Sequence, residues 1–447
     1  MSPAIRSHAH PWSTSPCIRP VVGEEEQLEL EALRPSVFCG IDWAEDHHDV
    51  ALVDAGGAVL ARLRIGDDAA GYTRLLALLA DHGDTTGLPV PVAIETPRGL
   101  LVACLRAGGR KVFAVNPMAV ARYRERYSVA RKKSDALDAA VLAHVLRTDM
   151  DAHRPLPADT ELAQAIAVLA RAQQDAVWDR TQAHNKLRSV LREFYPAILA
   201  AFVDKRDGIM RPEARAIMTA APTPAAAAKL TKTQLVALLK RAGRKRGIEV
   251  EAARLRVVLR AGYLHQPQLV EDAYGRQTLA LLRLLDAACA NADELEMAAA
   301  TSFALHPDAA IITSLPGLAA LTGARILAEI GDDRSRFADA RSLKAYAGAA
   351  PVTRASGKSR HVMTRKVKNQ RLAAVGYLWA FSALSNSPGA RAHYDRRRKT
   401  NERHTAAQRN LFNRLIGILY HCLRTGQAYD EQKAFQTSPT AALAAAA

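Results

Sequence analysis

The sequence predicts an α/β domain followed by a mostly α-helical region. Near the start of the chain, five short apolar runs read as strands, and the later ones alternate with helical patterns. A tight turn at Gly56-Gly57 joins the second and third runs into a hairpin. A hairpin unit followed by alternating helix and strand is typical of an α/β domain. From residue 162 onward, apolar residues recur at helical spacing instead.

Each predicted element follows from its own pattern. Apolar, β-branched runs bounded by turn residues predict strands at 37–44, 49–54, 59–65, 91–95 and 111–115. Amphipathic spacing predicts helices at 69–82, 99–107 and 118–127 and again from 139 to 146. Changes in composition divide the chain into a disordered leader at 1–36, an α/β domain at 37–157, a helical arm with an insertion at 158–307, a C-terminal domain at 308–425 and a flexible tail at 426–447.

The composition favours a nucleic-acid partner. The 447 residues carry a formal net charge of +16 at pH 7, and such an excess attracts polyanions. The alternative is a basic protein without such a partner. The five cysteines lie far apart and form no C-x-x-C pair, which argues against a zinc ribbon or a disulfide framework and favours a reduced, intracellular compartment. No run of about 18 apolar residues is present, so no membrane span is predicted.

Four carboxylates are placed where they can meet. Asp42 and Glu95 each end an apolar strand, and parallel pairing of these strands would bring both acids to one sheet edge. Asp135 and Asp138 stand three residues apart, on one face of a predicted helix. Because like charges repel, we expect a hard cation, magnesium or manganese, among them. Such paired metals catalyse phosphodiester chemistry. The alternative is a capped, solvated helix start with Ser134 as its N-cap.

The middle of the chain predicts a long helical arm. A helix at 162–194 and a second at 277–297 have the length and spacing of an antiparallel coiled coil. This arm either dimerises with another chain or forms a hairpin within one chain. The insertion between the two helices holds a basic patch at 240–246, which is either a nucleic-acid contact or a solvated charged face.

The C-terminal region has the charge pattern of a phosphate-binding surface. Leu315-Pro316-Gly317-Leu318 resembles the turn of helix-hairpin-helix modules, whose backbone amides receive DNA phosphates. From Ala340 to Tyr394 there is no acidic residue, but there are ten Lys or Arg residues. The candidate phosphate ligands among them are Arg354, Lys358, Arg360, Arg365, Lys366 and Lys368.

Within this basic stretch, Ser356 is a candidate nucleophile. Gly357 follows it and leaves its hydroxyl approachable. A serine hydroxyl needs a base or a metal to activate it. His361 is close in sequence, although no Ser-His-Asp arrangement is evident. The segment is predicted to be a loop, so the alternative is an ordinary loop serine.

Three motifs together resemble a known family. In order, they are Gly40-Ile41-Asp42-Trp43-Ala44, Ile94-Glu95-Thr96-Pro97 and Lys133-Ser134-Asp135-Ala136-Leu137-Asp138-Ala139. They are similar to the DEDD transposases of bacterial insertion sequences of the IS110 type, which have a ribonuclease-H-like (RuvC-like) domain. The resemblance covers residues 37–157 and 308–425. It implies that Asp42, Glu95, Asp135 and Asp138 are the metal-binding tetrad.

The resemblance also implies a reaction and its partners. Ser356 matches the family's proposed nucleophile, whereas Ser359 does not. The family implies a site-specific DNA recombinase of the bacterial cytoplasm and nucleoid. It acts on element ends and target DNA as a dimer or tetramer and is guided by a structured RNA. Two alternatives remain: a metal-dependent junction-resolving nuclease that does not need Ser356, and a non-enzymatic nucleic-acid scaffold.

Overall fold

The structure is a computed structural model that describes residues 35–125, 135–356 and 359–435. The chain divides into two compact units, one ending at Leu156 and the other beginning at Pro157. All but the last two residues of the predicted leader lie outside the described residues. No helix in the described part of the chain has the length and apolar character needed to cross a membrane.

The first unit is built on a five-stranded mixed sheet. Its strand order is β3-β2-β1-β4-β5, in which the first three strands are antiparallel and β1, β4 and β5 are parallel. The predicted parallel pairing of β1 with β4 is therefore confirmed. The strands are β1 (Val37–Trp43), β2 (His47–Asp54), β3 (Val59–Gly66), β4 (Val92–Ile94) and β5 (Val112–Ala114).

Helices cover both faces of this sheet, as an α/β unit requires. Leu75 and Leu105 bury one face, while Val120 and Leu142 bury the other. Strand residues alternate between the two layers, because successive side chains of a strand point to opposite faces. The helices are α1 (Ala69–Asp81), α2 (Leu100–Ala107), α3 (Pro117–Arg124) and α4 (Asp135–Asp149).

Helix α4 lies unusually close to strand β1. A Cβ atom at Gly40 would overlap the carbonyl oxygen of Ala139 and the amide nitrogen of Ala143, both in the α4 backbone. Only glycine leaves room for this contact. The contact fixes where the N-terminal half of α4 lies on the sheet.

In the second unit, two long helices form an antiparallel pair. These are α5 (Glu161–Phe194) and α11 (Gln268–Ala304). Phe194 stacks on Tyr274 with 5.1 Å between ring centroids, whereas Arg180 pairs with Asp293 at 3.7 Å, so the helices run in opposite directions. The described chain thus forms the intramolecular hairpin. The insertion between them is helical: α6 (Pro196–Phe202), α7 (Pro212–Ala220), α8 (Pro224–Lys229), α9 (Lys232–Arg241) and α10 (Ile248–Leu259).

The C-terminal part of this unit is a helical cluster packed around Trp379, with one exposed β-hairpin. Its helices are α12 (Ala309–Ser314), α13 (Ala320–Ile330), α14 (Ala340–Tyr346), α15 (Gln370–Asn386), α16 (Pro388–Lys399), α17 (His404–Thr425) and α18 (Glu431–Phe435). The hairpin strands are β6 (Val352–Ser356) and β7 (Ser359–Met363).

Two sequence predictions are wrong in this part. Ser356 ends a strand rather than lying in a loop; β6 is exposed or half-buried along its length, so no apolar alternation marked it. The predicted flexible tail is ordered from residue 426 to 435. There Phe435 packs on Gly389, and Glu431 accepts hydrogen bonds from the Gly389 amide at 2.7 Å and the Ser387 hydroxyl at 2.8 Å.

The turn between α12 and α13 is held by packing against α15. The indole of Trp379 donates to the Pro316 carbonyl oxygen at 3.0 Å. Gly317 has φ +82°, and a Cβ there would stand 2.7 Å from the Ala383 amide nitrogen. The absence of a side chain at Gly317 therefore allows the turn to pack closely against α15. Phosphate binding by the amides of the turn stays a prediction.

We expect Gly40→Ala to lower the free energy of unfolding of the first unit by about 3 kcal/mol, because the new methyl group collides with backbone atoms that cannot rotate away. Chemical denaturation followed by circular dichroism measures this change. Gly87→Ala is the matched control, since a Cβ at Gly87 meets nothing within 4 Å. Equal stability of the two variants would contradict the tight helix contact.

Candidate active site

Asp42 and Glu95 stand side by side at one edge of the sheet. Asp42 follows Ile41 and Glu95 follows Ile94, and these two isoleucines are register partners in the parallel strands β1 and β4. Asp42 and Glu95 are both partly buried. On its other side, Asp42 lies opposite Asp49 of β2. Asp49 accepts two hydrogen bonds from Arg64, at 3.1 Å and 2.7 Å. Three adjacent strands therefore each contribute a carboxylate to this edge, and one of these carboxylates is neutralised by a guanidinium group.

Helix α4 carries Asp138 on the same side of the sheet. Gly40 faces α4, and Asp42, two residues further along the strand, shares that face. Asp138 directly precedes Ala139, which touches Gly40, and it is only 3% exposed. Asp135 begins α4, but its side chain lies outside the description.

Arg124, at the end of α3, is the cation beside Asp138. Its Nη2 atom lies 2.7 Å from Oδ1 of Asp138. The geometry of this ion pair is not that of a hydrogen bond, and within the described chain Oδ1 of Asp138 receives none. A nearly buried carboxylate thus depends on charge attraction alone at this oxygen. Sequence reasoning missed Arg124, because nothing in its local pattern marks it as a partner of Asp138.

The donor chemistry of this edge fits a hard divalent cation. All the candidate ligands are carboxylates, and the buried Oδ1 of Asp138 lacks a hydrogen-bond donor. Among the described side chains, which exclude that of Asp135, no three acidic, histidine or cysteine side chains cluster closely enough to hold a metal. The meeting of all four predicted acids therefore stays a prediction.

A second group of polar side chains lies on one face of the β6–β7 hairpin. Ser356 is the register partner of Ser359, and Arg354 is the register partner of His361. Cross-strand partners share a face, as do residues two apart on a strand. The Ser359 hydroxyl and Nε2 of His361 form a hydrogen bond of 2.8 Å. The sequence placed His361 near Ser356 but could not give this common face without the strand register.

The predicted phosphate ligands have different environments. Arg354 and Lys366 are exposed, whereas Arg365 is half-buried and its Nε has no hydrogen-bond partner among the described residues. The stem of Lys368 packs over Gly348. Lys358 and the side chain of Arg360 lie outside the description.

Comparison with known proteins identifies the class. A family model described as "Transposase" matches residues 39–196, which include the acid-bearing sheet. Another, described as "Transposase IS116/IS110/IS902 family", matches residues 309–395, which include the hairpin. The chain is thus a transposase, an enzyme that moves DNA.

Full-length relatives narrow this class to one family. The chain is 63% identical to the "Mini-circle putative transposase for IS117" of Streptomyces coelicolor, over 90% of this chain and 97% of the relative. It is 30% identical to the "Insertion element IS116 uncharacterized 44.8 kDa protein" of Streptomyces clavuligerus, over 87% and 94%. It is 29% identical to the "Insertion element IS900 uncharacterized 42 kDa protein" of Mycobacterium paratuberculosis, over 88% and 97%. The chain belongs to the IS110 family of transposases.

We expect Arg124→Gln to lower the free energy of unfolding by about 2 kcal/mol, because it leaves the buried Asp138 charge without its cation. Urea denaturation at pH 7 in EDTA measures the loss. Arg122→Gln, a change at an exposed position on the same helix, is the control and should be close to neutral. If both variants unfold at the same urea concentration, Arg124 does not compensate Asp138.

Proposed function

We propose that this transposase is a metal-dependent, site-specific DNA recombinase that cuts and rejoins DNA through Ser356. The observation that carries the proposal is the seating of α4 on Gly40, which puts Asp138 on the face of the sheet that Asp42 shares, while Glu95 directly follows the neighbouring strand β4. The resemblance to RuvC-like domains supports the assignment of Asp42, Glu95, Asp135 and Asp138 as ligands of Mg²⁺ or Mn²⁺. When bound, such an ion polarises a phosphoryl oxygen and stabilises the developing charge.

Three residues of the hairpin have separate roles in the covalent step. Ser356 forms an Oγ–phosphorus bond while the bond from phosphorus to the leaving DNA oxygen breaks. His361, on the same face, accepts the proton of the serine hydroxyl, and a proton is returned to the leaving oxygen. Arg354 holds the non-bridging phosphate oxygens. Because the phosphoserine link keeps a phosphoester bond, rejoining to a new DNA hydroxyl needs no nucleotide cofactor.

The partners follow from the family and from charge. The substrates are the element ends and the target DNA, and the basic stretch at 340–394 supports binding to both. A guide RNA and a dimeric or tetrameric assembly are proposed by resemblance to the family. Location in the bacterial cytoplasm, in association with the nucleoid, is likewise proposed by resemblance to the family. A metal-only nuclease and a non-enzymatic scaffold are the competing functions.

We expect Ser356→Ala to abolish a covalent protein–DNA adduct, because it removes the attacking oxygen. The assay incubates the full chain with element-end DNA, its flanking RNA transcript and Mg²⁺, and then separates denatured protein from free DNA. Ser359→Ala is the matched control on the same hairpin face and should still form the adduct. Cleavage by Ser356→Ala without an adduct would favour the nuclease instead. Binding by the wild-type chain without cleavage would favour the scaffold.

We expect Asp138→Asn to remove both the adduct and the rise in melting temperature that Mg²⁺ gives the wild-type chain, because the amide is a poor ligand for a hard cation. Differential scanning fluorimetry with and without Mg²⁺ measures the second effect independently of activity. Asp151→Asn, at an exposed position after α4, is the control. An unchanged Mg²⁺ shift in Asp138→Asn would remove this residue from the metal site.

A further inference from the structure

A cavity of about 660 Å³ opens in the second unit, and its lining includes none of the hairpin residues proposed for catalysis. Helices α14 and α17 form its walls, together with α18 and the residues that lead into it. Apolar side chains such as Ile418 line part of the cavity. Its charged and titratable lining comprises Lys344, Arg414, His421, Asp430, Lys433, Cys422 and Tyr429. Four of these residues are basic and only one is a carboxylate.

The side chain of Lys344 lies in this cavity against the backbone of Gly417. A Cβ atom at Gly417 would stand 2.6 Å from Cε of Lys344 and 2.8 Å from its Nζ, so the ammonium group lies directly over the α17 backbone. No described carboxylate forms an ion pair with it. Burial and the adjacent Arg414 guanidinium together lower the pKa of Lys344. Lys344 and Arg414 thus line the same cavity, and neither forms an ion pair with a described carboxylate.

The other polar groups of the cavity do not relieve this repulsion. Arg414 donates from both Nε, at 3.1 Å, and Nη2 to the Ala434 carbonyl oxygen, and its guanidinium lies 5.9 Å from the centroid of the Phe435 ring, which leaves Nη1 without a hydrogen bond in the described chain. Asp430 receives the amides of Gln432 at 2.9 Å and Lys433 at 3.1 Å, and its other oxygen lies 3.8 Å from Nζ of Lys433. Asp430 is therefore already engaged at the start of α18.

We propose that this cavity binds a phosphate group of a nucleotide unit, with Lys344 and Arg414 as its principal ligands. A phosphate oxygen between the two cations would remove their repulsion and give charge-assisted hydrogen bonds to both. The cavity is far larger than a phosphate ion and lies within the size range of small-molecule sites, and its apolar side provides a surface for the attached nucleoside. This site rests on the proposed nucleic-acid binding by the basic stretch at 340–394, which includes Lys344, and gives it a specific phosphate pocket that does not depend on Ser356.

The test measures binding without cleavage. Fluorescently labelled decathymidylate is titrated by anisotropy with the full chain carrying Ser356→Ala, in EDTA. Adding Lys344→Met should weaken binding by about tenfold and reduce the slope of log affinity against log salt by about one. Lys344→Arg should retain most of the affinity. Lys229→Met, at an exposed site on α8, removes the same charge elsewhere and controls for net charge.

Gly417→Ala gives the sharpest variant, because it displaces Lys344 while leaving every charge in the chain intact. It should weaken binding about as much as Lys344→Met, with an unchanged circular dichroism spectrum. Wild-type-like affinity in both variants, or an equal loss in Lys229→Met, would overturn the proposal. Competition by thymidine monophosphate that disappears in Lys344→Met would identify a free nucleotide as the ligand. A Lys344-dependent effect on the oligonucleotide alone would identify a nucleic-acid strand.

Because the Ser356→Ala background cannot form the serine adduct, this experiment is separate from the test of recombination. An adduct-forming wild-type chain with no Lys344-dependent binding would leave the recombinase and remove the pocket. Lys344-dependent binding without any adduct would keep the pocket and remove the serine chemistry.

Discussion

The contact between Gly40 and the backbone of α4 is the constraint on which the first unit depends. A sheet and a helix normally pack through side chains, which keep their backbones well apart. Here the absence of a side chain at Gly40 lets the backbone of Ala139 and Ala143 contact β1 directly. The position of Asp138 is set by this contact, since a helix transmits the placement of one residue rigidly to its neighbours.

This placement has an electrostatic cost that the surrounding residues reduce. Asp49, Asp42 and Glu95 lie on three adjacent strands, and Asp138 approaches from the helix layer. Arg64 forms an ion pair with Asp49, and Arg124 forms an ion pair with Asp138. Each of these guanidinium groups lies beside one carboxylate of the group, which lowers the repulsion among the four acids.

Sequence patterns predicted the buried elements well. Strand β1, which carries Asp42, and strand β4, which precedes Glu95, come from mostly apolar runs, and their parallel pairing is ordinary α/β topology. The long helices were equally clear, although α11 extends beyond the predicted 277–297 at both ends. The β6–β7 hairpin escaped prediction because its strands lie mostly in solvent, so hydrophobic alternation cannot mark them. The shared face of Ser356 and His361, like the pairing of Arg124 with Asp138, depends on register and tertiary packing, which no local pattern encodes.

Helix α5 belongs to two hydrophobic cores at once. Its first half contributes Ile166 and Ala170 to the core around Trp379, while its second half contributes Leu187 and Leu191 to the core of the helical insertion. Between them, Gln173 is buried and accepts a hydrogen bond from Arg325. One uninterrupted helix of 34 residues, roughly 50 Å long, therefore spans both. Unfolding of either core would also unfold part of α5, which packs in the other core. The two cores therefore unfold more cooperatively than they would if separate helices supplied them.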